Sequence, residues 1–208
     1  MSKMSDDPAV QTCEADAEDG RILSSRDLHL AFLSARVETS SYRYIITEDQ
    51  IRQILTPRRI RDLLVFELDI ETSLALQYVN TVNLRASKVL AILICIGQVQ
   101  ALLDHFVYPE VWDDRLPLSR AELCTAFSAE FVSEQQNFLA PVFQTGLFKD
   151  WKPEVILPFS VDEPITDGEG SFASVHKIKI IPAFQKLVPI EPPGNEVRVP
   201  FSILFQSH

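Results

Sequence analysis

The chain has 208 residues, 46% of them hydrophobic and 23% charged, which is the balance of a soluble globular protein able to build one good core. Its net charge of −10 repels nucleic-acid phosphates and anionic lipid, so neither is expected as a partner. The cysteines Cys13, Cys95 and Cys124 are scattered and odd in number, and they show no metal-type spacing with His29, His105, His176 or His208.

Residues 1–24 carry Asp6, Asp7, Glu14, Asp16, Glu18 and Asp19 with almost no large apolar side chains. Such a segment buries too little surface to offset its ordering entropy and is expected to be a disordered acidic tail. It has neither the apolar core of a secretory signal nor the basic character of a mitochondrial presequence. The expected compartment is the cytosol, with the nucleus also open to the protein.

From residue 25 to about residue 150 the pattern is helical. Leu28, Ala31, Phe32 and Ala35 recur at helix spacing behind Ser24 and Ser25, either of which can cap. Thr47-Glu48-Asp49-Gln50 is a capping box ahead of Ile51, Ile54 and Leu55. Thr56-Pro57 starts a third helix with Ile60, Leu63 and Leu64 on its apolar face. A fourth is expected over Ile70 to Tyr78, with Asn83 capping the most apolar one, Lys88 to Ile96, which Gly97 ends. A helix apolar all round belongs at the centre of a bundle, and at this length it does not span a bilayer. Val99, Leu102, Leu103 and Phe106 give a further helical face.

Tyr108 to Pro117 reads as a loop in which Asp113 and Asp114 are solvated surface carboxylates. Ser119-x-x-Glu122 and Ser133-x-x-Gln136 are capping boxes for two last helices, one carrying Leu123, Phe127 and Phe131, the other Phe138, Val142 and Phe143, with Pro141 expected to kink the last one or end it early. Cys95 and Cys124 are expected as buried free thiols.

Helical periodicity stops near Gly146 to Pro153. Two β-rich runs follow, Val155 to Ile165 and Ser174 to Ile181, and between them lies Gly168-x-Gly170-x-Phe172-x-x-Val175. Glycines one residue apart let backbone amides approach an anion, because no Cβ intervenes. Residues 182–196, with Pro182, Pro189, Pro192 and Pro193, read as an irregular connector, and Val197 to Phe205 is strand-like again. The expected fold is mainly α: a helical N-terminal domain over residues 25–150, then a short antiparallel β segment within residues 151–208.

The spacing resembles the glycine-rich loop of the protein kinases, which covers ATP phosphates between two antiparallel strands; a dinucleotide or Walker-type loop would open a helix instead. The run ILPFSVDEPITDGEGSFASVHKIKIIPAF behind a helical leader resembles the kinase-like proteins of filamentous fungi. The resemblance implies that residues 151–208 are a partial kinase N-lobe. Gly168, Gly170, Ser171 and Phe172 would then lie over the phosphates, Ala173 would replace the third glycine, and Val175 would cover the adenine. Asp167 stands where kinases usually carry an apolar residue. Lys177 and Lys179 alternate with Ile178 and Ile180 and are expected to face solvent.

The 208 residues contain no Ala-x-Lys in the following strand, no His-Arg-Asp and no Asp-Phe-Gly. The expectation is therefore the truncated leading portion of a kinase-like protein without its catalytic machinery, for which ATP with magnesium is relevant only in a complete kinase domain. The alternative is a non-catalytic helical interaction module that meets protein partners and binds no nucleotide. A hydrolase has no support, since there is no Gly-x-Ser-x-Gly and no histidine has a recognisable nucleophile partner.

Overall fold

The computed structural model describes residues 22–144, 151–164 and 176–186. Within them the protein is mainly α, as the periodicity implies. Helix α1 (Ser25–Ala35) starts at Ser24, whose hydroxyl accepts from the Asp27 amide while the Asp27 carboxylate accepts from the Ser24 amide. The chain then makes a minimal antiparallel hairpin, β1 (Val37–Glu38) with β2 (Tyr44–Ile45), for which the sequence pattern offers no expectation. Helix α2 (Glu48–Ile54) opens on the Thr47–Gln50 capping box, and α3 (Pro57–Phe66) opens on Thr56 with proline at its first position.

Helix α4 corrects the expected boundary. It runs Thr72–Arg85 rather than stopping near Tyr78, because Ala75, Val79, Val82 and Ala86 continue one buried stripe past the capping signal. Asn83 lies inside α4 and caps nothing. Ala86 closes α4 and leads directly into α5 (Ser87–Cys95), in which Val89 through Ile94 are all buried. Gly97 ends α5 with φ +68°, and the amides of Gly97 and Gln98 donate to the carbonyls of Ile94 and Leu93. This is the left-handed cap that glycine adopts without a Cβ penalty.

A π-helical turn, Leu103–Val107, carries Phe106 into the core, where its ring stacks on Phe131 at 5.2 Å between centroids. The Ser119–Glu122 capping box is present and opens the short α6 (Arg120–Leu123). The Ser133–Gln136 box does not form. Ser133 sits inside α7 (Ser128–Glu134), which continues into a 3₁₀ turn, Gln135–Phe138, because buried Phe131, Gln135 and Phe138 share one face. Gln135 satisfies itself in the core by accepting from the Leu118 amide at 2.9 Å and donating to its carbonyl at 2.7 Å. Helical structure ends at Phe138, so Phe143 belongs not to a helix but to β3 (Phe143–Gln144).

β4 (Phe159–Pro164) and β5 (His176–Ile180) pair antiparallel, with Asp162 opposite Ile178 and Glu163 opposite Lys177. Strand structure starts at Phe159 rather than Val155, since Lys152 to Val155 is a turn closed by the Val155 amide on the Lys152 carbonyl. After a 3₁₀ turn, Pro182–Phe184, the chain forms β6 (Gln185–Lys186), which pairs parallel with β3.

The main core runs through the helices from Leu28 to Phe138. A second, small cluster consists of Ile45, Ile156, Ile181 and Phe184, with Val37, Ala140 and Ile180 against it. It joins the β1–β2 hairpin to the roots of β4 and β5.

Candidate functional site

β-Branched and apolar residues alternating with charged ones make β4 and β5 a half-covered ribbon. Lys177 and Lys179 are exposed, as their alternation implies, while Ile178 and Ile180 are half-buried. Lys177 Nζ stands 3.8 Å from Glu163 Oε2, both side chains well exposed, so the pair contributes little to stability. Phe159, at the root of β4, is buried and meets the Phe143 ring at 5.6 Å; Phe143 in turn meets Trp151 at 6.1 Å. Among the described residues the last pairing is Pro164 with His176, and residues 165–175 connect the two in sequence.

All six expected nucleotide-binding residues, Gly168, Gly170, Ser171, Phe172, Ala173 and Val175, lie in that connection and outside the described residues. What the structure describes is their flanks, which form strand–connection–strand rather than strand–connection–helix. Among the described residues no three His, Cys, Asp or Glu side chains gather closely enough to hold a metal.

Two loop carboxylates, expected as solvated surface, and two thiols, expected as buried, lie elsewhere in the chain. Asp114 is exposed, as expected of a loop acid. Asp113 is not surface: its carboxylate turns inward and accepts from the amides of Lys88 and Val89, each at 2.9 Å, and from Ser87 Oγ at 3.2 Å. It supplies the N-terminal cap that α5 lacks locally, because Ala86 has no side chain to do so. Burial pushes its pKa up, opposed by the two amide hydrogen bonds, the Lys88 charge and the Ser87 hydroxyl. The partner of this cap is 25 residues away in the chain, and no local motif announces it.

Cys95 is largely enclosed. Desolvation, reinforced by the Glu134 carboxylate and opposed by the Arg36 guanidinium, pushes its thiol up to about 12, so it is protonated and unreactive at neutral pH. Cys124 corrects the expectation of burial: it is exposed at the left-handed end of α6, with φ +47°, and its Sγ donates to the Ala121 carbonyl.

Two open depressions remain on the helical body. One, of about 480 Å³, is lined by Ile96, Ala129, Glu130, Ser133 and Glu134. The other, of about 340 Å³, is lined by Ala31, Ser34, Ala35, Gln50, Gln53 and Ile54. Neither is lined by a histidine or a cysteine. His105 is exposed and packs edge-on against Phe127, away from both. No helix among the described residues is long and apolar enough to cross a membrane. Comparison of the chain with family models, with curated proteins and with solved structures gives no match in any of the three.

Proposed function

We propose that this chain is the leading portion of a protein kinase-like polypeptide, in which the β4–β5 hairpin presents a glycine-rich loop to ATP. One observation carries the reading: two antiparallel strands in continuous register from Val161–Lys179 to Pro164–His176 bracket Gly168-x-Gly170-x-Phe172-x-x-Val175. Gly168, Gly170, Ser171 and Phe172 would hold the phosphates, with Ala173 in place of a third glycine and Val175 against the adenine. Bound ATP would supply the transferable phosphoryl group. The aspartates that transfer it and hold magnesium in a kinase have no counterpart among these 208 residues, so no catalytic step is assigned to this chain.

The test is the native gene product. An antibody to the helical body should detect a product much larger than 23.5 kDa, and the transcript should continue past the His208 codon into an Ala-x-Lys and a His-Arg-Asp. A band at 23.5 kDa with an immediate stop codon would overturn the proposal. On the larger product, a fluorescent ATP analogue with magnesium should bind saturably, and Gly168→Ala with Gly170→Ala should abolish that binding.

A second reading, a non-catalytic helical interaction module, is favoured by the outward-facing Leu30 and Leu33 on α1 and Leu74, Leu76 and Leu84 on α4. It predicts no saturable nucleotide binding and no effect of the glycine substitutions. Its partners would be proteins.

A further inference from the structure

Strand β2 ends on Ile45, and Ile46 follows it directly. A strand sends successive side chains to opposite faces, so neighbours in sequence can serve different cores. Ile45 is fully buried in the small cluster with Ile156, Ile181 and Phe184. Ile46, also buried, belongs to the helical core, and its amide donates to the Asn137 carbonyl at 2.9 Å. One dipeptide is thus fixed in both cores at once.

The turn of the same hairpin adds a second link. Thr39 is buried and closes the turn: its amide and hydroxyl both donate to the Arg43 carbonyl, at 2.8 and 3.0 Å, while Tyr42 takes φ +57°. This shape points the Ser40 amide at the Phe159 carbonyl, 2.7 Å away at the root of β4. Arg43 Nη1 donates to the Glu154 carbonyl at 3.1 Å, just upstream of that strand. The root of β5 is tied in turn, since the Ile181 amide donates to the Pro158 carbonyl at 2.8 Å.

We infer that the β1–β2 hairpin is a brace that sets the β4–β5 hairpin on the helical body, so that loosening Ile45 and Ile46 would loosen the strands that flank residues 165–175. The consequence for nucleotide rests on the kinase-like reading above; the brace itself does not. A two-stranded ribbon is marginal alone, and its small cluster contains a residue, Ile45, lent by the other end of the chain.

Amide hydrogen exchange on the full chain tests this directly. In Ile45→Ala, the amides of β4 and β5 should exchange about tenfold faster or more, while those of α5 keep their native protection. Arg43→Ala, which removes one hydrogen bond and no core atom, should give a smaller increase at the same amides and serves if the isoleucine variant does not fold. Unchanged exchange in β4 and β5, or an equal rise in α5, would overturn the brace. Measured on the larger native product, fluorescent ATP analogue affinity should fall in Ile45→Ala in step with the exchange. Faster exchange at β4 and β5 in a protein that binds no nucleotide would leave the brace standing and remove the kinase-like reading.

Discussion

The helical body and the β segment bury apolar side chains on very different scales. The first has a continuous core that links α1 to α5, α7 and the turns between them; the second has Ile45, Ile156, Ile181 and Phe184. At about 1.5–3 kcal/mol per fully buried large side chain, four such residues contribute roughly what ordering about six residues costs at about 1–2 kcal/mol each, less than β4 with 6 residues and β5 with 5 together require. The helical body can therefore stand on its own contacts, and the β4–β5 pair depends on it. Damage should propagate from the large core to the small one and not the other way.

Phe106→Ala is the strongest way to sharpen that asymmetry. Phe106 is fully buried and stacked on Phe131 at the centre of the body, so its truncation should cost about 3–5 kcal/mol. Denaturant unfolding followed by far-ultraviolet circular dichroism would measure the loss. The amides of β4 and β5 should lose protection together with those of α5. Retained protection in the hairpin would break the comparison, because it would show a β segment that stands alone.

Asp113→Ala should come next, at about 1–3 kcal/mol, since it strips the part-buried first-turn amides of α5 of their acceptor. The pH dependence has an unusual sign for an aspartate. Burial raises the folded-state pKa above the ordinary value, so the folded protein holds this proton more tightly than the unfolded chain. The contribution of Asp113 is then most favourable below the ordinary aspartate range and declines as pH rises from there through the raised value. Asp113→Asn should remove that slope, read as the difference between the two stability–pH curves.

Gly97→Ala should cost about 1 kcal/mol. A Cβ built at this position meets nothing within 4 Å, so the loss is conformational rather than steric and arises from φ +68° alone. Gly97→Asn, which tolerates the left-handed region better, should recover part of the loss in the same unfolding measurement. Equal losses for both would point to a different origin.

The sequence made some of this architecture readable and hid the rest for physical reasons. Ser24, Thr47, Thr56 and Ser119 cap helices with side chains that reach only three residues ahead, so pattern and cap fall in one short window. Asp113 caps α5 across the fold, and a loop acid with a distant partner looks the same as a solvated one. Asn83 and Ser133 carry real capping chemistry, yet the buried stripes of α4 and α7 run through them and win. Strands of two residues, as in β1, β2, β3 and β6, are too short to show a period, and the pairing of Phe143 with Gln185 is set by packing rather than by any local signal. At the candidate site, the alternation of Lys177, Ile178, Lys179 and Ile180 disclosed the strand and its exposed face. The double role of Ile45 and Ile46 was invisible, because two adjacent isoleucines do not announce that they serve two cores.

The smallest effect tests a charge interaction that reaches from the β segment to the helical body, that of Lys186 with Glu48. Lys88 Nζ, on α5, lies 2.8 Å from Glu48 Oε1, on α2. The hydrogen bond from Lys88 lowers the Glu48 pKa most, followed by the Lys88 charge; burial opposes, and Arg52 and then Lys186 of β6 lower it further. A lowered folded-state pKa stabilises the protein above the ordinary glutamate range, and this contribution disappears as pH falls through the lowered value. Because Glu48 is mostly exposed, Glu48→Gln should cost less than about 1 kcal/mol, and the cost should shrink in high salt. Lys186→Ala should raise the Glu48 pKa slightly, followed by carboxylate NMR titration, for as long as β6 stays beside the helical body. If the titration does not respond, the β segment does not hold its place against α2, and the dependence of the small region on the large one fails at its weakest contact.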